Sequence, residues 1–281
     1  VDIIARGMSQ WLGEKLNTPV VVENRPGANG MIGTRAVSGA EPDGYTLLFG
    51  YDGTLAIAPA IMEGSSFDPL AELAPVIRVV NATLVAASPT TLPVRSFEEL
   101  IAYAKNHKVT YGTSGIGSTP HMFAEQMKLR AGLDWTHVPY KGGSAATADA
   151  VGGQISAVIT AVASVLPFVK SGQLTALFVG GEERTPSMPE VPTLRELGYG
   201  ALDVDSWYGL FAPAGTPQHI IEKLNREIEA EIQTPKMREQ YHQLGFASAG
   251  GSPAQFAEEI RSDIARWKAV GSEAGIKIQA F

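Results

Sequence analysis

Three stretches of the sequence bring glycine together with hydroxyl-bearing residues and little charge. They are Gly50-Tyr51-Asp52-Gly53-Thr54, Thr113-Ser114-Gly115-Ile116-Gly117-Ser118-Thr119-Pro120-His121 and Tyr140-Lys141-Gly142-Gly143-Ser144. Each follows a short apolar run and precedes a helical pattern, so each reads as a loop from strand to helix. In open α/β sheets such loops lie at the carboxyl ends of strands, where ligands bind. Free helix amides and the positive helix end favour a carboxylate or phosphate there. Glycine lets the backbone approach closely, and hydroxyls donate without adding charge. Ligand contacts are therefore expected from Tyr51, Gly53, Thr54, Thr113, Ser114, Gly115, Ser118, Thr119, Tyr140, Gly142, Gly143 and Ser144.

Each of these has a plainer reading beside it. A Gly-Ser-Thr run at a helix start is first of all a cap. His121 suits a structural role as well as a ligand role, and Tyr140 suits ordinary packing as well as a pocket wall. Lys141 could meet an anion or stay solvated. Trp207 and Tyr208 read either as a platform for the ligand or as hinge packing, and Trp11 as helix-face core.

Enzyme chemistry finds little support. The five histidines, His107, His121, His137, His219 and His242, form neither H-x-H nor H-E-x-x-H, so no zinc site is expected. Gly112-Thr113-Ser114-Gly115-Ile116 fails the nucleophile elbow at its last position. Gly115-Ile116-Gly117 lacks the third glycine of a dinucleotide fingerprint, because residue 120 is proline. The absence of cysteine removes disulfides, thiolate metal sites and cysteine nucleophiles, and fits an oxidising periplasm. No cofactor or metal is expected, and no enzyme activity. Triads assembled from distant positions escape such a scan, so an α/β enzyme stays open as a third reading.

Twenty-two Lys and Arg against 29 Asp and Glu leave a formal charge of −7. That argues against nucleic acid and anionic membranes as partners, since their affinity comes from basic residues meeting phosphates. It does not argue against a small anion held by backbone amides. No apolar run reaches the ~18 residues of a membrane span.

At 281 residues, about two domains are expected. Helical spacing of Ile4, Met8, Trp11, Leu12 and Leu16, with Asp2 at the cap position, predicts a helix over 3–16, and Pro19 to Glu23 reads as a strand. Further strands are expected at 45–49, 75–87, 109–113, 135–138, 154–160, 174–179 and 206–212. Helices are expected at 55–62, 96–106, 118–131, 144–151, 163–170 and 193–197. Two of these starts carry capping boxes, Ser96-x-x-Glu99 and Thr193-x-x-Glu196. The alternation implies an α/β architecture with parallel sheet. After residue 213 two helical tracts follow, 217–243, broken near Pro235, and 253–274. Thr216-Pro217 and Ser252-Pro253 each place a cap before a proline. Crossings between domains are expected at 84–90 and 206–213. The chain opens directly on a helical pattern, as expected of one cut inside a structured domain.

Ordered motifs along the whole chain carry a resemblance. They include Val20-Val21-Val22-Glu23-Asn24-Arg25-Pro26-Gly27-Ala28-Asn29-Gly30, Pro42-Asp43-Gly44-Tyr45-Thr46-Leu47-Leu48 and His137-Val138-Pro139-Tyr140-Lys141-Gly142. Pro189-Glu190-Val191-Pro192-Thr193, Ser206-Trp207-Tyr208-Gly209 and Ala212-Pro213-Ala214-Gly215-Thr216-Pro217 continue them. The set resembles the substrate-binding proteins of the tripartite tricarboxylate transporters, the Bug or TctC-like family.

The resemblance implies a periplasmic binding protein of type II: two α/β domains with mixed, mainly parallel sheets and a ligand cleft between them. Residues 1–88 would start the first domain, 89–211 form the second, and 212–281 return to complete the first. Such a protein closes like a flytrap on a small organic carboxylate and delivers it to a membrane permease of one large and one small subunit. A periplasmic monomer with neither cofactor nor nucleic-acid partner is implied. Loops 51–54, 113–119 and 140–144 would line the cleft, with Tyr51 and Trp207 shaping it.

Two departures stand out. Members begin with a signal peptide, a strand and a Pro/Gly-rich loop ending in Asp, of which Asp2 alone has a match. Many also carry Asp-Asn where this chain has Thr160-Ala161. Thr160 would make the pocket floor more apolar and remove a negative charge, favouring a dicarboxylate or aromatic carboxylate over an amino acid. The alternative reading is the small-molecule sensing domain of a transcription regulator with a LysR-effector-like fold.

Overall fold

The computed structural model describes residues 1–64, 66–181, 183–200 and 205–279. In chain order its elements are α1 (Asp2–Leu16), α2 (Met31–Ser38), β1 (Leu48–Tyr51), α3 (Ala58–Ile61), β2 (Met62–Glu63), α4 (Pro69–Glu72) and β3 (Leu73–Pro89). Then come α5 (Phe97–Ala104), β4 (Val109–Thr113), α6 (Thr119–Ala131), β5 (Trp135–Pro139), α7 (Gly143–Val151), β6 (Ala157–Ala161), α8 (Val162–Lys170) and β7 (Leu174–Val179). The chain closes with β8 (Asp205–Pro213), α9 (Gln218–Ile232), α10 (Pro235–Gln243), β9 (Phe246–Ser248), α11 (Pro253–Ala274) and β10 (Ile278–Gln279).

The 17-residue strand β3 belongs to two sheet regions. Its first part pairs antiparallel with β8, from Leu73 opposite Pro213 to Thr83 opposite Asp205, and with β9. β1 extends that region on the far side of β8. From Leu84 onward β3 pairs instead with β6 and β7. Beyond β6 lie β4 and β5, both in parallel register. We call the β1–β8–β9 region with its helices the first lobe and the β4–β7 region the second. The α/β fold with mixed sheets is the expected one. Its parallel part is β6-β4-β5, where helices α6 and α7 supply the crossovers that parallel strands require. β3 runs antiparallel to all four of its partners, β6, β7, β8 and β9.

Local sequence accounts for these elements. The apolar stripe of α9, Ile221, Leu224, Ile228 and Ile232, is buried on the same cluster as Ile4, Met8 and Leu12 of α1. Val85, Ala86 and Ala87 of β3 are all fully buried, as suits a strand covered on both faces. The Ser252 box is complete, the Ser252 hydroxyl capping Gln255 N–H and the Gln255 side chain returning to Ser252 N–H.

Several expectations need correction. Residues 19–23 form no strand: Val21 is 86% exposed, and among the described residues no strand pairs with them. The box at Thr193 and Glu196 is made, yet it opens only a turn, which ends at Gly198 with φ 87°. Thr216 does not cap α9; its hydroxyl donates to Pro213 O, and Pro217 takes the cap position. Asp2 is the first residue of α1 rather than its cap, and its carboxylate accepts from Arg6 and Asn24.

Gly209 of β8 is fixed by close packing. A Cβ there would sit 2.5 Å from Phe256 Cε1 and 3.0 Å from Ile77 O. Gly7, inside α1, has open space at that position. Gly209→Ala is expected to destabilise by about 1–3 kcal/mol through overpacking, and Gly7→Ala to stabilise by about 0.5–1 kcal/mol through helix propensity. Urea unfolding of the two variants checks the opposite signs.

Candidate functional site

The three loops meet where the two lobes face each other. β1 delivers Tyr51, after which Asp52 leads into a buried π-helical turn, Gly53–Ile57. A side chain at Gly53 would overlap the Tyr51 ring. Asn29, at φ 51° in the loop before α2, ties this loop together. Its Oδ1 accepts a short hydrogen bond from Tyr51 Oη, and its carbonyl accepts from Thr54 Oγ1 at 2.5 Å. Its Nδ2 donates to Gly53 O at 3.4 Å and to Gly117 O of the second lobe at 3.2 Å.

The second loop is held from within. Ser118 Oγ donates to Gly115 O at 2.7 Å, and Thr113 Oγ1 both donates to Gly115 O and accepts from Gly115 N–H. Tyr140 N–H, at the start of the third loop, donates to Thr113 O at 3.1 Å, which joins the second and third loops. In the third loop the Tyr140 hydroxyl donates to Asp149 at 2.7 Å. Gly142, at φ 125°, precedes α7, and no side chain caps that helix. Its first amides therefore remain available to an acceptor. A side chain at Gly143 would collide with Thr160 Oγ1, so the buried Thr160 lies against the start of α7.

The expected residues divide into two groups. Thr54, Thr113, Ser118 and Thr119 are buried, with their hydroxyls spent on the loops themselves. Ser114, Ser144 and Thr160 make no side-chain hydrogen bond among the described residues. These are the free donors, and all three lie in the second lobe. Trp207 belongs elsewhere. It is 2% exposed, its Nε1–H donates to Asp263 of α11 at 2.7 Å, and its ring meets Phe256 edge-on. These contacts with α11 match the packing role that the sequence left open beside the ligand role.

Sequence reasoning passed over Asp52, although it lay inside a loop singled out for its glycines. Asp52 is 1% exposed, and its Oδ1 accepts from Gly53 N–H at 3.0 Å, Thr119 Oγ1 at 2.8 Å and Ser206 Oγ at 2.6 Å. Burial pushes its carboxyl up to about 7, against the pull of these donors. An acid alone between two glycines in an otherwise uncharged loop was the available signal. Asn29 and Ser206 were likewise missed as partners.

A second titratable cluster lies behind the 113–119 loop. His121 and His137 stack at 4.0 Å between ring centroids. His121 Nδ1 accepts from Gly117 N–H at 3.1 Å, so the ring proton sits on Nε2. His137 Nε2 pairs with Thr113 Oγ1 at 2.7 Å. Burial pushes His121 down to about 4; burial first and then the neighbouring His121 push His137 down to about 3. Both rings are therefore neutral where ordinary histidines begin to charge. Among the described residues no group of three or more His, Asp or Glu could hold a metal ion.

An anion could be received here by uncharged groups of the second lobe, the open amides of α7 and the hydroxyls of Ser114, Ser144 and Thr160, whereas the N–H groups of Gly53, Gly115 and Gly117 already donate to Asp52, Thr113 and His121. The family model described as tripartite tricarboxylate transporter family receptor matches residues 4–276. Protein BugT of Bordetella pertussis is 35% identical over 281 residues, which cover 99% of this chain and 86% of BugT. The solved structure of R. palustris Rpa4515 with adipate superposes with a TM-score of 0.95 at 30% identity, covering 99% of this chain and 93% of that one. MatC (Rpa3494) from Rhodopseudomonas palustris with bound malate gives 0.89 at 28% identity, covering 96% and 93%.

The histidine stack predicts an acid sensitivity. Folded values below the ordinary 6.5 mean that the unfolded chain binds more protons than the folded one. The contribution is full above about 6.5 and is lost as pH falls toward 4, by up to about 1.4 kcal/mol per pH unit for each ring. Chemical denaturation from pH 7 to 4.5 should show the wild type losing stability relative to His137→Gln. A constant difference between the two across that range is the contrary result.

Proposed function

The chain belongs to the tripartite tricarboxylate transporter receptor family, and from that premise we propose that it captures a small organic dicarboxylate between its lobes and hands it to the membrane permease of such a system. One observation carries the choice of ligand: the lobes meet at loops that offer open amides and free hydroxyls, and among the described residues no basic side chain, Lys141 of the third loop included, is hydrogen-bonded into them. A carboxylate can accept from each of those groups without a formal counter-charge. The relatives solved with adipate and with malate support the same class.

In this reading residues 1–88 and 212–281 make one unit and 89–211 the other, and the protein works in the periplasm as a receptor without catalysis. The ligand favours the closed arrangement by the contacts it makes only there. Thr160, with a free hydroxyl against the start of α7, gives the pocket floor no negative charge. A second carboxylate or an aromatic ring is tolerated beside it, whereas an ammonium group finds no carboxylate partner there. Closure would bring the first-lobe loop 51–54 over the ligand already held by Ser114, Ser144 and the α7 amides.

A thermal-shift panel of adipate, malate, benzoate and aspartate tests the proposal. At 100 times Kd a ligand stabilises by ~2.7 kcal/mol, so adipate or malate should raise the melting temperature by several degrees, with aspartate giving the smallest shift. The reading is overturned if no carboxylate moves the transition, or if aspartate moves it most.

A further inference from the structure

We propose that Asp52 is a positioning residue for capture: through one carboxyl oxygen it clamps the start of α6 in the second lobe to the end of β1 and to β8 in the first. The clamp sets the 113–119 loop opposite the 51–54 loop. The inference rests on carboxylate capture by those loops and adds the residue that holds them in register.

The geometry is specific. The three donors to Asp52 Oδ1 come from three separate parts of the fold: Gly53 N–H from its own turn, Thr119 Oγ1 from α6, and Ser206 Oγ from β8. Only the Thr119 bond crosses between lobes, and it is made by the first residue of the helix that follows the second ligand loop. The Asn29 bond to Gly117 O crosses the same junction two residues earlier. Thr119 and Asp52 are both essentially buried, so water does not substitute for either partner in this arrangement. Hydroxyl hydrogen bonds to an acid in such a site are stronger than exposed ones.

The groups around Asp52 give the clamp a pH dependence. From α11, Asp263 adds negative charge, although Arg266 pairs with it at 2.9 Å. From β1 and β8, Tyr51 and Tyr208 stay neutral, their phenols pushed up by burial. From α6, Thr119 donates and the neutral His121 lies one turn further along. No Lys or Arg among the described residues acts on Asp52. With the lobes together, its carboxyl is pushed from 3.8 up to about 7. Opening the junction lets water reach it and returns it toward the ordinary value. Closing therefore takes up a proton across that window. Closure is favoured at the acid end, weakens as pH rises toward 7, and levels off above it.

Three variants and one pair of labels test the clamp. The chain has no cysteine, so Lys105→Cys and Lys223→Cys, both exposed and in opposite lobes, accept spin labels without competition. Thr119→Val should broaden and lengthen the distance between labels and weaken adipate binding about tenfold or more. Thr119→Ser should restore both. Asp52→Asn keeps an acceptor oxygen but cannot titrate. The ratio of wild-type to Asp52→Asn affinity should therefore fall as pH rises from 5.5 to 7 and stay level to 8.5, with the ligand's own titration cancelling. A Thr119→Val protein with wild-type distances and affinity overturns the clamp, as does a constant ratio in the pH series. If the wild type binds no adipate, the carboxylate reading fails, and the label distances in Thr119→Val alone decide the clamp.

Discussion

A single strand shared by two sheets governs this molecule. β3 pairs with β8 and β9 as far as Thr83 and with β6 and β7 from Leu84 onward. A strand with this continuous ladder cannot slip by one residue without turning its buried faces outward. Bulges between Pro75 and Ile77 and between Arg78 and Val80 adjust its twist inside the first lobe. From Asp205 onward β8 returns beside it, so β3 is flanked by an antiparallel strand up to the point where it enters the second lobe. The ligand loops of both lobes are thereby referred to one common axis.

In the function proposed here, that axis lets an acidic protein hold an anion with uncharged groups. The hydroxyls of Thr54, Thr113, Ser118 and Thr119 are consumed in keeping the loops in shape. Their burial would be costly if they were unpaired, and paired they rigidify the pocket wall. The donors left over, on Ser114, Ser144 and Thr160, sit beside the uncapped start of α7. A binding site of dipoles and amides depends on orientation more than on net charge. This is why a formal charge of −7 places no restriction on a carboxylate ligand. Asp52 fits the same logic, since a buried acid poised near neutrality can sit near an anion site without forcing a full negative charge into it.

Much of this was legible in the sequence because local rules agree with the fold. β4 at Val109–Thr113, β7 at Leu174–Val179 and α11 at Pro253–Ala274 fall where apolar runs and the Ser252 cap put them. The apolar run at 19–23 failed because β propensity needs a neighbouring strand, and among the described residues none pairs with it. The box at Thr193 failed as a helix start because Gly198 stops the turn at once. Trp207 drew attention as an aromatic near a crossing, but periodicity cannot tell a ring facing a cleft from one facing α11. Asp52 was invisible as a joint because its partners lie 67 and 154 residues away. Only the folded topology brings them to one oxygen.

On the proposed reading, uncharged loop groups of the second lobe receive the anion and the 51–54 loop of the first covers it. Backbone amide NMR of the labelled protein titrated with adipate reads both contacts. The largest shifts are expected on Gly53, Ser114, Gly115, Gly143 and Ser144. A groove of about 410 Å³ on the second lobe, lined by Thr90, Arg95, Val169, Glu190 and Pro192 among others, lies apart from these loops. Shifts confined to that groove, or limited to one lobe's loops at saturation, are the contrary result.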